Sequence, residues 1–161
     1  MGFGIYILRR DIALNVTIIY ENKKDFLDLL LLADEQEDMI DTYLDRGTLF
    51  ALYDGDLKSI CVVTDEGNDG FEIQNLATYP QFQGRGYGRY LVNYVCDYYT
   101  CKGDMIVGTG DSLVPFYENC GFVFSHRVEN YFLEHYNEPM FDAGVQLKDK
   151  VYLKKCQCTF I

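Results

Sequence analysis

The apolar residues change their period several times along the chain, and each change marks an element. Residues 5–9 and 16–20 are short runs of β-forming residues. The stretch 24–33 contains DFLDLLLLA, lacks breakers and reads as a helix; a second over 37–44 brings Met39, Ile40, Tyr43 and Leu44 to one face before Gly47 stops it. β-formers fill 49–53 and 57–64 on either side of Asp54 and Gly55, a dipeptide favoured by type I′ hairpins. A further turn at Asn68, Asp69 and Gly70 leads into 71–78, so the pattern predicts a three-strand antiparallel meander that Pro80 ends.

Tyr87, Leu91, Tyr94, Val95 and Tyr98 then fall at helical spacing, and this amphipathic helix is expected to run to Gly103. Residues 105–108 make the next strand, and 113–119 a short helix with Gly121 just past its end, where a left-handed cap belongs. Residues 122–126 and 151–158 complete the pattern as strands. The order is mixed α/β (α+β) with an antiparallel first half. With 161 residues, no internal repeat and no linker, one domain spanning residues 1–161 is expected.

Composition narrows the functional classes. Hydrophobic residues make up 48 % of the chain, with 14 Tyr and 11 Phe, which excludes a disordered chain. No apolar run approaches the roughly 20 residues that cross a bilayer, and in MGFGIYILRRD the arginines follow the apolar stretch, the reverse of a secretory signal. A cytoplasmic protein with no membrane partner is expected. Cys61, Cys96, Cys101, Cys120, Cys156 and Cys158 are accordingly read as reduced thiols. His126 and His135 supply no ligand cluster, so no metal is expected. Fourteen Lys plus Arg against 25 Asp plus Glu give a net charge of −11, which repels phosphate backbones and argues against nucleic acid. The same field favours a cationic substrate such as an amine.

The sharpest chemical signal is Gln83, Gly84, Arg85, Gly86, Tyr87, Gly88 and Arg89, lying between an expected strand and an expected helix. A helix start leaves about four backbone N–H groups without partners at the positive end of its dipole. Glycines let an anion reach them, and Arg85 and Arg89 place positive charge there in an otherwise acidic chain. A dinucleotide fingerprint would want glycine where Arg89 stands, and a P-loop would need Gly-Lys-Ser/Thr. Neither is met.

The stretch NLATYPQFQGRGYGRYLV resembles the signature of the GNAT superfamily of acetyl-CoA-dependent N-acetyltransferases, through Gln83, Gly86 and Gly88. VPFYENCGF, with Tyr117, Gly121 and Phe122, resembles the same family's later helix and turn. The resemblance implies a GNAT-like acyl-CoA N-acyltransferase fold, a mostly antiparallel mixed sheet flanked by helices. It also implies acetyl-CoA as cofactor and coenzyme A as product. The strand before the loop is then splayed from its neighbour, with the backbone of Leu76, Ala77 and Thr78 pairing with the pantetheine arm and the amides of residues 83–89 holding the diphosphate.

An alkylammonium of pKa about 10.4 costs about 4.6 kcal/mol to deprotonate at pH 7, so a proton acceptor is wanted. Glu72, eleven residues before Gln83, is at the spacing where some family members carry a base; Gln74 and Asp111 are alternates. Tyr117 matches the family's proton donor to the departing thiolate. Each also has a structural reading, Glu72 as a solvated strand residue and Tyr117 as a core tyrosine. The implied reaction is direct attack by a primary amine, in a ternary complex, on the acetyl group; the amine is taken to belong to a small cationic molecule. A protein lysine or N-terminus is an alternative acceptor, and a non-catalytic acyl-CoA-binding module an alternative function. A peptide would need an open groove and a small amine a closed acidic pocket. The chain is expected as monomer or homodimer.

Overall fold

The computed structural model describes residues 14–157, so the strand expected at 5–9 and Cys158 lie outside the described residues. Nine strands are described: β1 (Asn15–Ile19), β2 (Thr48–Asp54), β3 (Asp56–Asp65), β4 (Phe71–Thr78), β5 (Met105–Thr109), β6 (Val123–Val128), β7 (Phe141–Asp142), β8 (Val145–Gln146) and β9 (Lys150–Lys155). Seven of them form one sheet in the order β1-β2-β3-β4-β5-β9-β6, while β7 and β8 pair as a small hairpin. The helices are α1 (Leu27–Ala33), α2 (Glu37–Asp41), α3 (Tyr87–Tyr98), α4 (Val114–Asn119) and α5 (Tyr131–His135).

Alternation along β2 builds both halves of the core. Phe50 and Leu52 point into a cluster with Leu91, Val95 and Tyr117 beneath α3 and α4, whereas Leu49 and Ala51 join Leu29, Leu30 and Ile40 beneath α1 and α2. Burying side chains such as Leu29, Leu52 and Leu91 completely is worth about 2 kcal/mol each, so both faces of the sheet need their helices.

The meander β2-β3-β4 is antiparallel as expected, but its first turn is not type I′. Only Gly55 of the dipeptide has positive φ; Tyr53 faces Leu57 and Leu52 faces Ser59, so the loop holds three residues and a bulge follows. The first helix also starts later than its apolar pattern. A 3-10 turn over Lys23–Phe26 precedes it, and Lys23 Nζ donates to the carbonyls of Leu44, Asp45 and Gly47, filling acceptors that the end of the second helix leaves open. That second helix ends at Asp41 because the backbone tightens to i→i+3 bonds, although Tyr43 and Leu44 still reach the core.

After β4 the chain crosses over through α3 and returns as β5, parallel to β4. β9 inserts between β5 and β6 and runs antiparallel to both. The residues joining β6 to β9 contain α5 and the β7-β8 hairpin, for which no element was expected. They are fastened by backbone bonds, Phe132 N–H to the carbonyl of Lys148 at 2.9 Å and Leu147 N–H to that of Met140 at 2.8 Å.

Candidate active site

β4 and β5 are clamped at one end and parted at the other. Phe71 N–H donates to the carbonyl of Asp104 at 2.8 Å, and a Cβ on Gly70 would collide with that same carbonyl oxygen, so only glycine permits the approach. Pairing continues through Phe71 with Met105, Glu72 with Ile106 and Ile73 with Val107, and then stops. β4 bulges at this point: Val63 faces Ile73 while Val62 faces Asn75, leaving Gln74 unopposed. The extra residue flips the alternation, so Ile73 and Leu76 both pack beneath α3 while Asn75 and Ala77 turn toward α1. Beyond it, β4 pairs only with β3, and its edge toward β5 is open.

The gap is a cleft of about 660 Å³ that runs from α3 on one face to α5 and the β7-β8 hairpin on the other. Leu76, Ala77, Thr78, Gln83, Gly84, Gly86, Tyr87, Gly88 and Arg89 all line it; Arg85 does not. Gly84 has φ +74° and Gly86 φ +90°, left-handed values that let the loop turn into α3. Gly86 caps α3 without a side-chain hydrogen bond, leaving the first amides of the helix free. A Cβ on either glycine would meet nothing within 4 Å, so the space over those amides is open. Gln83 Nε2 donates to the carbonyl of Thr78 at 3.1 Å, and the Tyr87 hydroxyl donates to Asp54 Oδ2 at 2.6 Å, fixing the loop at both ends. A bare amide cradle at a helix start, continuous with an unpaired strand edge, suits a diphosphate joined to an amide-bearing arm.

Tyr117 lines the same cleft from α4, with its ring edge-on to Phe116 and Phe122 at 5.0 and 5.7 Å. It is 5 % exposed, and burial pushes its hydroxyl well above the ordinary tyrosine range, so it stays protonated. Its hydroxyl has no hydrogen-bond partner among the described residues. Glu72 stands elsewhere. It faces a neighbouring cavity with His126 and Tyr152 and is absent from the cleft lining, although burial raises its carboxyl too. Gln74 lines the cleft but gives its amide to Thr64 Oγ1 at 3.0 Å. Asp111 is exposed and held by Arg127 at 2.6 Å, which lowers its carboxyl and makes it a poor proton acceptor.

Among the described residues three carboxyls line the cleft, Asp34, Glu35 and Asp142, and only Asp34, at the end of α1, is buried; no motif in the sequence marked it. Asp34 is 7 % exposed. Its Oδ2 accepts from the Tyr43 hydroxyl at 3.2 Å and its Oδ1 from the Tyr136 hydroxyl at 2.9 Å. Asn75 Nδ2 donates to the Tyr43 oxygen at 3.0 Å, which directs the single tyrosine proton to Asp34. Burial raises the Asp34 carboxyl above its usual range and outweighs the hydrogen bonds from Tyr136, Tyr43 and the Gln36 backbone that lower it. Around this corner the lining is apolar and aromatic, with Met39, Tyr131, Phe132 and Met140.

Comparison with known proteins agrees with this geometry. The model of the Acetyltransferase (GNAT) domain matches residues 45–124. An uncharacterised N-acetyltransferase of Bacillus subtilis (strain 168), YvbK, is 34 % identical over 146 residues, covering 87 % of this chain and 94 % of the relative. A GNAT family acetyltransferase from Elizabethkingia anophelis, solved with acetyl-CoA bound, superposes with a TM-score of 0.82 at 27 % identity, over 88 % of this chain and 96 % of that one. A Bacillus subtilis acetyltransferase solved in complex with CoA gives 0.79 at 32 % identity, over 88 % and 97 %.

Proposed function

The chain belongs to the GNAT family of acetyl-CoA-dependent N-acetyltransferases, and from that premise we propose that it acetylates the primary amine of a small molecule that enters the cleft as its ammonium cation. The observation that carries this reading is the buried Asp34 carboxyl, set in the wall of the same cleft as the open edge of β4 and the glycine loop. Acetyl-CoA supplies the activated acyl thioester. The amides of residues 83–89 hold its diphosphate, and the backbone of Leu76, Ala77 and Thr78 aligns the arm that carries the acyl group.

Asp34 attracts the ammonium and takes its proton, which frees the nitrogen lone pair. The amine then attacks the acyl carbon directly, an N–C bond forms as the C–S bond breaks, Tyr117 gives its proton to the departing sulfur, and the second proton that the nitrogen sheds restores the Tyr117 hydroxyl. Backbone N–H groups on the free edge of β4 stabilise the negative charge that develops on the carbonyl oxygen. Glu72, the proton acceptor that the family resemblance implied, lines the adjoining cavity and does not take the proton in this reading. The segment running from α5 through the β7-β8 hairpin supports a small acceptor over a protein chain, because its Tyr136, Phe141 and Leu147 add bulk to the wall of the cleft.

Thiol release from acetyl-CoA, followed over a broad panel of small primary amines and lysine peptides, tests the reading. Turnover with small amines supports it. Preference for peptides, or binding of acetyl-CoA with no transfer to any amine, overturns it.

A further inference from the structure

Lys150 is a cation in the wall of the acceptor end of the cleft, and no carboxylate pairs with it among the described residues. Its strand explains its direction. Val151 and Leu153 of β9 pack into the core beneath α3, so Lys150 and Tyr152 alternate to the other face, away from the glycine loop. A Cβ on Gly108 would collide with Cε of Lys150 and stand 2.9 Å from the Tyr152 ring, so the lysine stem lies flat against the bare backbone of β5. Gly108 is the first residue of β5 after its last pair with β4, and the stem therefore emerges where the two strands part. The ammonium stands 4.4 Å over the ring of Tyr131 and 5.1 Å from that of Tyr152.

Ring faces offset part of the cost of taking a charge out of water, but a partly buried ammonium without an oxygen partner is incompletely compensated. Glu72 and Asp34 are near enough to favour its charge, yet neither forms an ion pair with it. Asp34 and Lys150 therefore present opposite charges to one cavity without touching each other. The free protein keeps them apart, and a ligand carrying both complementary charges would satisfy both.

We propose that Lys150 is an anion subsite and that the acceptor is a small amine that also carries a carboxylate, its ammonium toward Asp34 and its carboxylate on Lys150. This rests on the acetyl-transfer reading above and names its substrate class. A carboxylate fits better than a phosphate, since one lysine neutralises one negative charge and a dianion would leave the excess buried in a protein of net charge −11. The diphosphate of acetyl-CoA does not need this lysine, because Gly86 and Arg89 lie on the α3 side of the sheet.

The test measures kcat/KM for matched acceptor pairs by thiol release: glycine, β-alanine, 4-aminobutyrate, 5-aminopentanoate and the common α-amino acids, each against its own carboxamide. For the best pair the wild-type protein is expected to favour the acid by about tenfold or more, mainly through KM, and in Lys150→Met or Lys150→Gln that ratio falls toward one. A ratio near one or below in the wild-type protein overturns the proposal while leaving acetyl transfer standing, and so does a ratio that survives both substitutions. Transfer to none of the acids, amides or simple amines, by protein that binds acetyl-CoA, overturns the transfer reading and this inference with it.

Discussion

The hydroxyl of Tyr136 donates to Oδ1 of Asp34 at 2.9 Å, joining residues 102 positions apart. The bond latches the segment after α5 to the end of α1 and closes the acceptor end of the cleft. It also adjusts the chemistry of the carboxyl, because a donor to the ionised form favours that form.

Replacing Tyr136 by Phe removes this donor and leaves burial in place, so the Asp34 carboxyl rises further. Asp34 must be ionised to accept a proton, and activity is therefore lost as pH falls through its pKa. The acid limb of the kcat/KM profile is expected to move to higher pH in Tyr136→Phe, as a pH-rate series would show. A limb that stays in place would mean that Asp34 does not govern it.

Asp34→Asn keeps the shape of the side chain and removes its basicity. Loss of a positioned base costs about a hundredfold or more in kcat/KM, while calorimetric affinity for coenzyme A should hold. Glu72→Gln is expected to cost less, because Glu72 faces the neighbouring cavity. The opposite ranking would return the proton-accepting role to Glu72.

Tyr117→Phe removes the hydroxyl proposed as the proton donor, one that burial keeps protonated. A thiolate of pKa near 8.5 leaves tolerably without help, so turnover should fall only about tenfold, with cofactor affinity nearly intact. Full activity in a thiol-release assay would reduce Tyr117 to a packing residue.

Gly86→Ala puts a methyl group into open space at φ +90°. The left-handed backbone costs about 1–2 kcal/mol and lowers Tm by a few degrees, and the methyl group stands over the amides proposed to grip the diphosphate. The Kd for coenzyme A is expected to rise about tenfold or more by titration calorimetry. An unchanged Kd would place the diphosphate elsewhere.

Legibility in the sequence followed the length of each signal. The glycine loop could be read because three glycines at alternate positions have few uses between a strand and a helix. The meander could be read because its strands are seven to ten residues long. The bulge at Gln74 was hidden, since one unopposed residue leaves no compositional trace, yet it turns Asn75 toward Tyr43 and Asp34. α5 and the β7-β8 hairpin were hidden because five- and two-residue elements are too short to show a period. Asp34, one residue past the helix expected at 24–33, carries no motif. Its chemistry arises from Tyr43, Asn75 and Tyr136, which only the folded chain brings to it. Lys150 fell just before the strand expected at 151–158, and Gly108 gave no hint that it made room for that side chain.

Direct attack in a ternary complex distinguishes this account most sharply from a relay through an acyl-enzyme. The described cysteines are absent from the cleft lining, and burial pushes the Cys96 thiol up to about 11, which leaves no ready thiol nucleophile there among the described residues. Rapid mixing of the protein with acetyl-CoA at comparable concentrations, with and without a competent amine, measures this directly. The account predicts no burst of free thiol until the amine is added, and intersecting initial-rate lines when both substrates are varied. A stoichiometric burst with acetyl-CoA alone, followed by parallel lines, would contradict it.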